Sequence, residues 1–237
     1  KKKLLQAAAG SAGGAGLDVD EVFSTYLYDG NSSTQTITNG IDLSGEGGLV
    51  WTKTRNESAY QHWLFDTERG ATKRLFSALD SAEATISNGL TSFNSNGFTV
   101  GAYSGNETND DIVSWTFRKA PRFFDVVTYT GTSSAKTVSH NLGSVPAMII
   151  VKCTSGTGNW RVYHRGLDGG NAPEDYVINL NSTSAENNSS SFWNDTAPTS
   201  TEFTVGGDDD VNDFGDTYVA YLFAHNNSDG EFGPDAD

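Results

Sequence analysis

The stretch Tyr28-Asp29-Gly30-Asn31-Ser32-Ser33-Thr34-Gln35-Thr36-Ile37 decides how this chain is read, because it returns as Tyr129-Thr130-Gly131-Thr132-Ser133-Ser134-Ala135-Lys136-Thr137-Val138. Each copy ends an aromatic and β-branched run, turns through a Gly-x-Ser-Ser segment and resumes with alternating residues. That is the pattern of two strands joined by a short turn. Working outward, Leu49-Val50-Trp51-Thr52-Lys53 is answered by Ile149-Ile150-Val151-Lys152-Cys153. His62-Trp63 with Arg69-Gly70 is answered by Asn159-Trp160 with Arg165-Gly166. Gly97-Phe98-Thr99-Val100-Gly101 returns as Glu202-Phe203-Thr204-Val205-Gly206, and Ile112-Val113-Ser114-Trp115-Thr116-Phe117 as Tyr218-Val219-Ala220-Tyr221-Leu222-Phe223. The pairs keep one order and lie about 100 residues apart, so the chain is a tandem duplication.

The fold class follows from the same strings. Short apolar runs bounded by Gly or Pro, such as Leu49–Lys53 and Met148–Lys152, have the character of strands covered on both faces. Pro146 stands at the start of its run, where a missing N–H harms no central ladder. Many short strands with turn signals between them predict an all-β chain of two tandem antiparallel β-sandwich units, jelly-roll-like, after a flexible N-terminal peptide. The expected organisation is residues 1–20 as anchor and linker, 21–122 as the first unit, 123–227 as the second, and 228–237 as a linker toward further repeats. The one helix-like stretch, Ala71–Ala84, has no consistent apolar stripe and reads as strand and loop.

Composition narrows the function classes. With 15 Lys and Arg against 30 Asp and Glu, the net charge of −15 is wrong for a protein that grips nucleic acid through its phosphates. No stretch approaches the roughly 18 apolar residues of a membrane helix, so no membrane insertion is expected. Thirteen Phe, nine Tyr and five Trp suffice for a sandwich core, which argues against disorder. The single cysteine, Cys153, permits no internal disulfide and sits in an apolar run, as a buried thiol would.

The first sixteen residues are different. Lys1-Lys2-Lys3-Leu4-Leu5 leads into alanines and then Ser11-Ala12-Gly13-Gly14-Ala15-Gly16, a flexible linker by composition. A secretory signal, a silent terminus and an anchoring peptide all suit this pattern. The anchor reading assigns docking on a partner to Lys1, Lys2, Lys3, Leu4 and Leu5.

Candidate chemistry is sparse. Asp208, Asp210, Asn212, Asp213 and Asp216 place oxygen ligands at nearly alternate positions, a candidate Ca²⁺ set, though without the closing Glu of an EF-hand loop; a plain polar turn explains the same run. Asp66 and Glu68 are the nearest approach to a glycosidase acid pair, yet the second unit has no matching acids. Beside them, Arg69 reads as a turn-pinning residue. His62, His140, His164 and His225 have no short ligand spacing. No phosphate loop, nucleophile elbow or Cys–His pairing occurs. The expectation is no enzyme, no catalytic residue and no cofactor. Among the tryptophans, Trp51 is matched by Val151 and Trp115 by Tyr221, as core residues would be. Trp193, in a Ser/Asn-rich segment, is the candidate surface aromatic for stacking on a glycan.

A resemblance adds to this. Gly131–Gly143 leading into Val145-Pro146-Ala147-Met148-Ile149-Ile150-Val151-Lys152, then Trp160-Arg161-Val162-Tyr163-His164-Arg165 and Trp193-Asn194-Asp195-Thr196-Ala197-Pro198, resemble a repeated domain of marine bacteriophage virion proteins. Thr217–His225 does too, and Lys119–Gly131 resembles that family's junction between repeats. The resemblance covers nearly everything after the linker. It implies a virion structural protein, most plainly the particle-attaching N-terminal part of a tail fibre or tail appendage, assembled in the bacterial host cytoplasm and resident in the virion. Implied partners are other tail proteins through the N-terminus and further copies of the chain, with a trimer as the family-based expectation. A carbohydrate-binding adsorption module, with or without Ca²⁺, and a head decoration protein are the alternatives. The resemblance also implies a longer fibre continuing past Asp237.

Overall fold

Residues 18–225 are described by the computed structural model, and within them the strand signals are realised as seventeen strands, all paired antiparallel. One helical turn, α1 (Val19–Val22), leads into the first repeat. There β1 (Phe23–Asp29), β2 (Gln35–Thr38), β3 (Gly48–Thr54), β4 (Trp63–Asp66), β5 (Lys73–Phe76), β6 (Ala84–Thr85), β7 (Leu90–Asn94), β8 (Gly97–Val100) and β9 (Asp111–Arg118) follow in order. They form a six-stranded sheet, β1-β9-β3-β4-β5-β6, facing a three-stranded one, β2-β8-β7. Pairing first strand with last and second with penultimate gives the nested order of a jelly roll, while β3 to β6 run on as a meander. The Ala71–Ala84 stretch is strand and loop.

The second repeat reproduces the plan with β10 (Phe124–Thr130), β11 (Lys136–Ser139), β12 (Pro146–Cys153), β13 (Arg161–His164), β14 (Tyr176–Asn179), β15 (Asn187–Asn188), β16 (Glu202–Val205) and β17 (Thr217–Ala224). Its large sheet is β10-β17-β12-β13-β14-β15 and its small one β11-β16. Where the first repeat has β7, the second has a helical turn, α2 (Ser190–Trp193), packed on β16. A third turn, α3 (Asp209–Asn212), precedes β17.

Both repeats are closed by the same polar device. Asn106 Nδ2 donates to the carbonyls of Ser33 (2.9 Å) and Gly101 (2.8 Å) while its Oδ1 accepts from Gln35 Nε2 (2.6 Å). Asn212 Nδ2 donates to Ser134 O (2.6 Å) and Gly206 O (2.5 Å), and its Oδ1 accepts from Thr132 N (2.8 Å). Each amide is fully buried, so its hydrogen bonds replace solvation and tie three loops together. Gly30 and Gly131 sit where a Cβ would lie 2.1 and 2.0 Å from the carbonyl oxygens of Glu107 and Asp213, which only glycine allows.

Register corrects two internal matches. Trp51 pairs with Trp115 on β9, and Ile150 pairs with Tyr221 on β17, so Trp51 corresponds to Ile150 and not to Val151. Val50 pairs with Phe65 and Ile149 with Tyr163, which makes Trp160 the counterpart of His62, and Arg161 that of Trp63. A one-residue shift moves a side chain to the other face of the sheet. Trp63 therefore lies in the first sandwich's interior with Phe65, Phe98 and Tyr103, whereas Trp160 points outward.

What lies outward is the other repeat. Besides one core inside each sandwich, a third forms between the outer faces of the two large sheets: Leu49, Leu64 and Leu75 from the first repeat, and Phe124, Val126, Ile150, Trp160, Val162, Val219 and Tyr221 from the second. The Trp160 indole N–H donates to Phe76 O (2.9 Å) and Leu79 O (3.0 Å) across this contact. The repeats are thus stacked face to face around a shared core and are not strung end to end as independent rod segments.

Candidate functional site

Each residue singled out in the sequence now has a place. Lys1, Lys2, Lys3, Leu4 and Leu5, and the 228–237 linker, lie outside the described residues. Trp193 is buried (2% exposed) in the second sandwich core, its indole N–H bonded to Tyr176 O at 3.0 Å and its ring edge-on to Tyr163. The surface-aromatic reading of Trp193 is therefore corrected: α2 turns the Ser/Asn-rich segment so that Phe192 and Trp193 face inward.

The acidic run is likewise occupied by protein partners. Asp208 caps α3 through Asp210 N (3.0 Å). Asp210 takes Arg161 Nε (2.8 Å) and Nη2 (2.7 Å) and also Asn159 N (3.0 Å). Asn212 is the buried pin, Asp213 accepts from Ser133 Oγ (3.1 Å), and Asp216 accepts from Ser155 Oγ (2.8 Å). Among the described residues no three His, Cys, Asp or Glu side chains converge as a metal would need. The run is a capped helical turn held by an arginine.

Asp66 and Glu68 part company. Glu68 meets Lys119 at the surface (2.8 Å). Asp66 is fully buried, accepting from Arg69 Nε (2.5 Å) and from Tyr221 Oη of the other repeat (2.7 Å). Arg69, its side chain 3% exposed, also reaches Glu83 (3.1 Å) and the carbonyls of Leu64 and Lys73. Burial works against the guanidinium charge, but Asp66, Tyr221 and Glu83 overcome it and hold its pKa above the ordinary value. Asp66, Arg69 and Tyr221 are sealed from solvent, and only Glu83, its side chain 17% exposed, reaches the edge of the network. Arg165, by contrast, is exposed and has no such network, since the register does not align it with Arg69.

The surface feature that sequence reasoning missed is aromatic. On the outer face of the first large sheet, Trp51 Nε1 donates to His62 Nδ1 at 2.9 Å, and the His62 ring stacks on Trp115 (centroids 6.2 Å, interplanar 11°). Trp51 and Trp115 meet edge to face at 6.3 Å. All three are only half-buried, and on the edge strand β1 beside them Thr25 is exposed and Leu27 is 57% exposed. Because Nδ1 accepts, the neutral ring carries its proton on Nε2. Burial, then the nearby Lys53, lowers the His62 pKa and favours that neutral form. The counterparts Ile150, Trp160 and Tyr221 are buried to 5%, 0% and 1%. Of the three positions only Trp51 exchanges an aromatic ring for an aliphatic chain, Ile150, so the sequence carried little sign that one face is covered and the other is not.

A surface cleft of about 480 Å³ lined by Ser32, Asn88, Tyr103 and Glu107 offers a single carboxylate and no acid–base pair. No helix of the described residues is long and apolar enough to cross a membrane. No curated protein matches the chain. Residues 18–234, spanning both stacked repeats, match a family described as a domain of unknown function, and the chain belongs to that family, DUF7483.

Proposed function

We propose that this chain is a structural component of a bacteriophage virion, in a tail fibre or related tail appendage, acting by packing and not by chemistry. The observation that carries the reading is that the acidic and basic side chains best placed for chemistry are paired off with each other, Asp66 with Arg69 in the interior and Asp210 with Arg161 in a half-buried pair. The duplicated units, the acidic surface that keeps many copies soluble, and the resemblance of residues 131–165 and 193–225 to phage virion repeats support it further. In this reading Lys1–Leu5 dock the chain on other tail proteins and the linker up to Gly16 gives it reach.

Immunogold labelling of purified particles, paired with peptide mass spectrometry, tests the proposal. Label on the tail is the expected result. Label on the capsid reassigns the chain to head decoration, and absence of its peptides from particles overturns the reading. Deleting residues 1–16 is expected to abolish incorporation while the β-type circular dichroism spectrum is kept.

A further inference from the structure

The repeats do not cover each other symmetrically. In the second repeat, the face built from β10, β12 and β17 lies under the first, so Phe124, Val126, Ile150, Trp160 and Tyr221 are buried. The same positions of the first repeat, read through the strand register, are Phe23, Thr25, Trp51, His62 and Trp115, and none of them is buried. The converse holds at the other end of the contact. Leu49 and Leu75 are buried (1% each), while their counterparts Met148 and Ile178 are only partly buried at the margin of the shared core, and Leu180, two residues on from Ile178, is 39% exposed. The cover is therefore incomplete at both margins of the shared core, an apolar overhang at each: Trp51 packs against one margin with Leu27 exposed beyond it, and Met148 and Ile178 pack against the other with Leu180 exposed beyond them.

We propose that a second copy of this chain docks on the first repeat's overhang, placing its own Met148, Ile178 and Leu180 over Trp51, His62, Trp115 and Leu27. The occupant is given by the contact already inside the chain: one repeat's Leu49–Leu75 end on the other's Phe124–Tyr221 end. The proposed contact repeats it between chains with corresponding positions. Polar chemistry matches as well. In the chain, the Trp160 indole N–H donates to the carbonyls of Phe76 and Leu79. At the corresponding place His62 presents its Nε2–H, and the corresponding carbonyls belong to Asn179 and Ser182 of the incoming copy. Such a contact joins two different ends and so continues from copy to copy, as a staggered double layer that either closes into a ring or extends as a fibre. With a charge of −15 per copy, the association strengthens as salt screens the repulsion. The inference is independent of the virion reading, since solution assembly and presence in particles are measured separately.

Light scattering coupled to size exclusion, on the full chain over a hundredfold concentration range at 0.5 M NaCl, tests it. The expected result is a mass that climbs in whole multiples of the chain. Leu27→Asp and Leu180→Asp, both at exposed positions, are each expected to return it to one chain without altering the circular dichroism spectrum. An equimolar mixture of the two variants restores one intact overhang of each kind and is expected to stop at two chains. A wild-type mass of one chain at every concentration overturns the proposal, whether a glycan or another protein then takes the face. So does an oligomer that either variant leaves intact, or a mixture that stays at one chain.

Discussion

Tyr221 Oη donates to Asp66 Oδ2 at 2.7 Å although the residues are 155 positions apart, one in each repeat. The bond joins the last strand of the second repeat to a buried ion pair of the first. It therefore reports directly on whether the two units are stacked. Tyr221→Phe keeps the ring and removes the donor. We expect a loss of about 1–2 kcal/mol, the cost of leaving a buried acceptor short of one partner. In thermal denaturation that amounts to a fall of a few degrees in a domain of this size.

Removing the acid is expected to cost more. Asp66→Ala leaves Arg69 buried with Glu83 as its remaining carboxylate, and breaking a buried ion pair from one side costs about 3–5 kcal/mol. If urea denaturation gives Asp66→Ala and Tyr221→Phe equal losses, the pair does not hold the junction as described.

The twin amides give a second test. Asn106→Ala and Asn212→Ala each strand the carbonyls their Nδ2 groups satisfy, and a loss of about 2–3 kcal/mol is expected for each. Hydrogen exchange should quicken at 131–134 and 206–213 in Asn212→Ala, and at the matching loops of the first repeat in Asn106→Ala. Exchange that quickens everywhere equally would contradict a local pin.

Lys152 carries a pH dependence. Its side chain is fully buried and its Nζ donates to Cys153 O at 2.7 Å. Burial lowers its pKa, against the smaller opposing pull of Cys153, Asp210 and Asp80. The unfolded chain then holds the proton to higher pH than the folded one, so this residue's contribution to stability grows as pH rises toward its unfolded pKa. As the pH rises toward the unfolded lysine's value of about 10.4, the wild type should gain on Lys152→Met, which packs the same stem without the charge. A constant difference between the two across that rise would refute the assignment.

Calcium and its chelator should leave the melting temperature unchanged, because Arg161 already holds Asp210. Asp210→Asn should lower it by weakening that pair. A melting temperature that rises with millimolar Ca²⁺ would reinstate a cation at 208–216.

How far the chain is legible without coordinates differs between its parts. The Gly-x-Ser-Ser turn recurring at Gly30 and Gly131 identified the duplication, and turn chemistry is local. Ser32 and Ser133 both take left-handed backbone at φ 55° and 56°, an agreement between repeats that sequence identity foretells. Trp193 was misread for the opposite reason. Its neighbours are polar, but one helical turn rotates it into the core, and a strand of the first repeat stands in that place. The Trp63–Trp160 match failed because a tryptophan one residue out of register faces the other side of its sheet.

By itself, then, the sequence determined the all-β class, the duplication and the strands, since alternation and turn residues are short-range properties of the chain. Only the tertiary structure decided that the repeats stack face to face, that Asp66 and Tyr221 meet, and that Trp51, His62 and Trp115 remain half-exposed. The physical reason is that a strand covered on both faces announces its burial but not its cover. Leu49 would read the same beneath a helix, a second sheet or another chain, and which of these it meets is set by long-range packing.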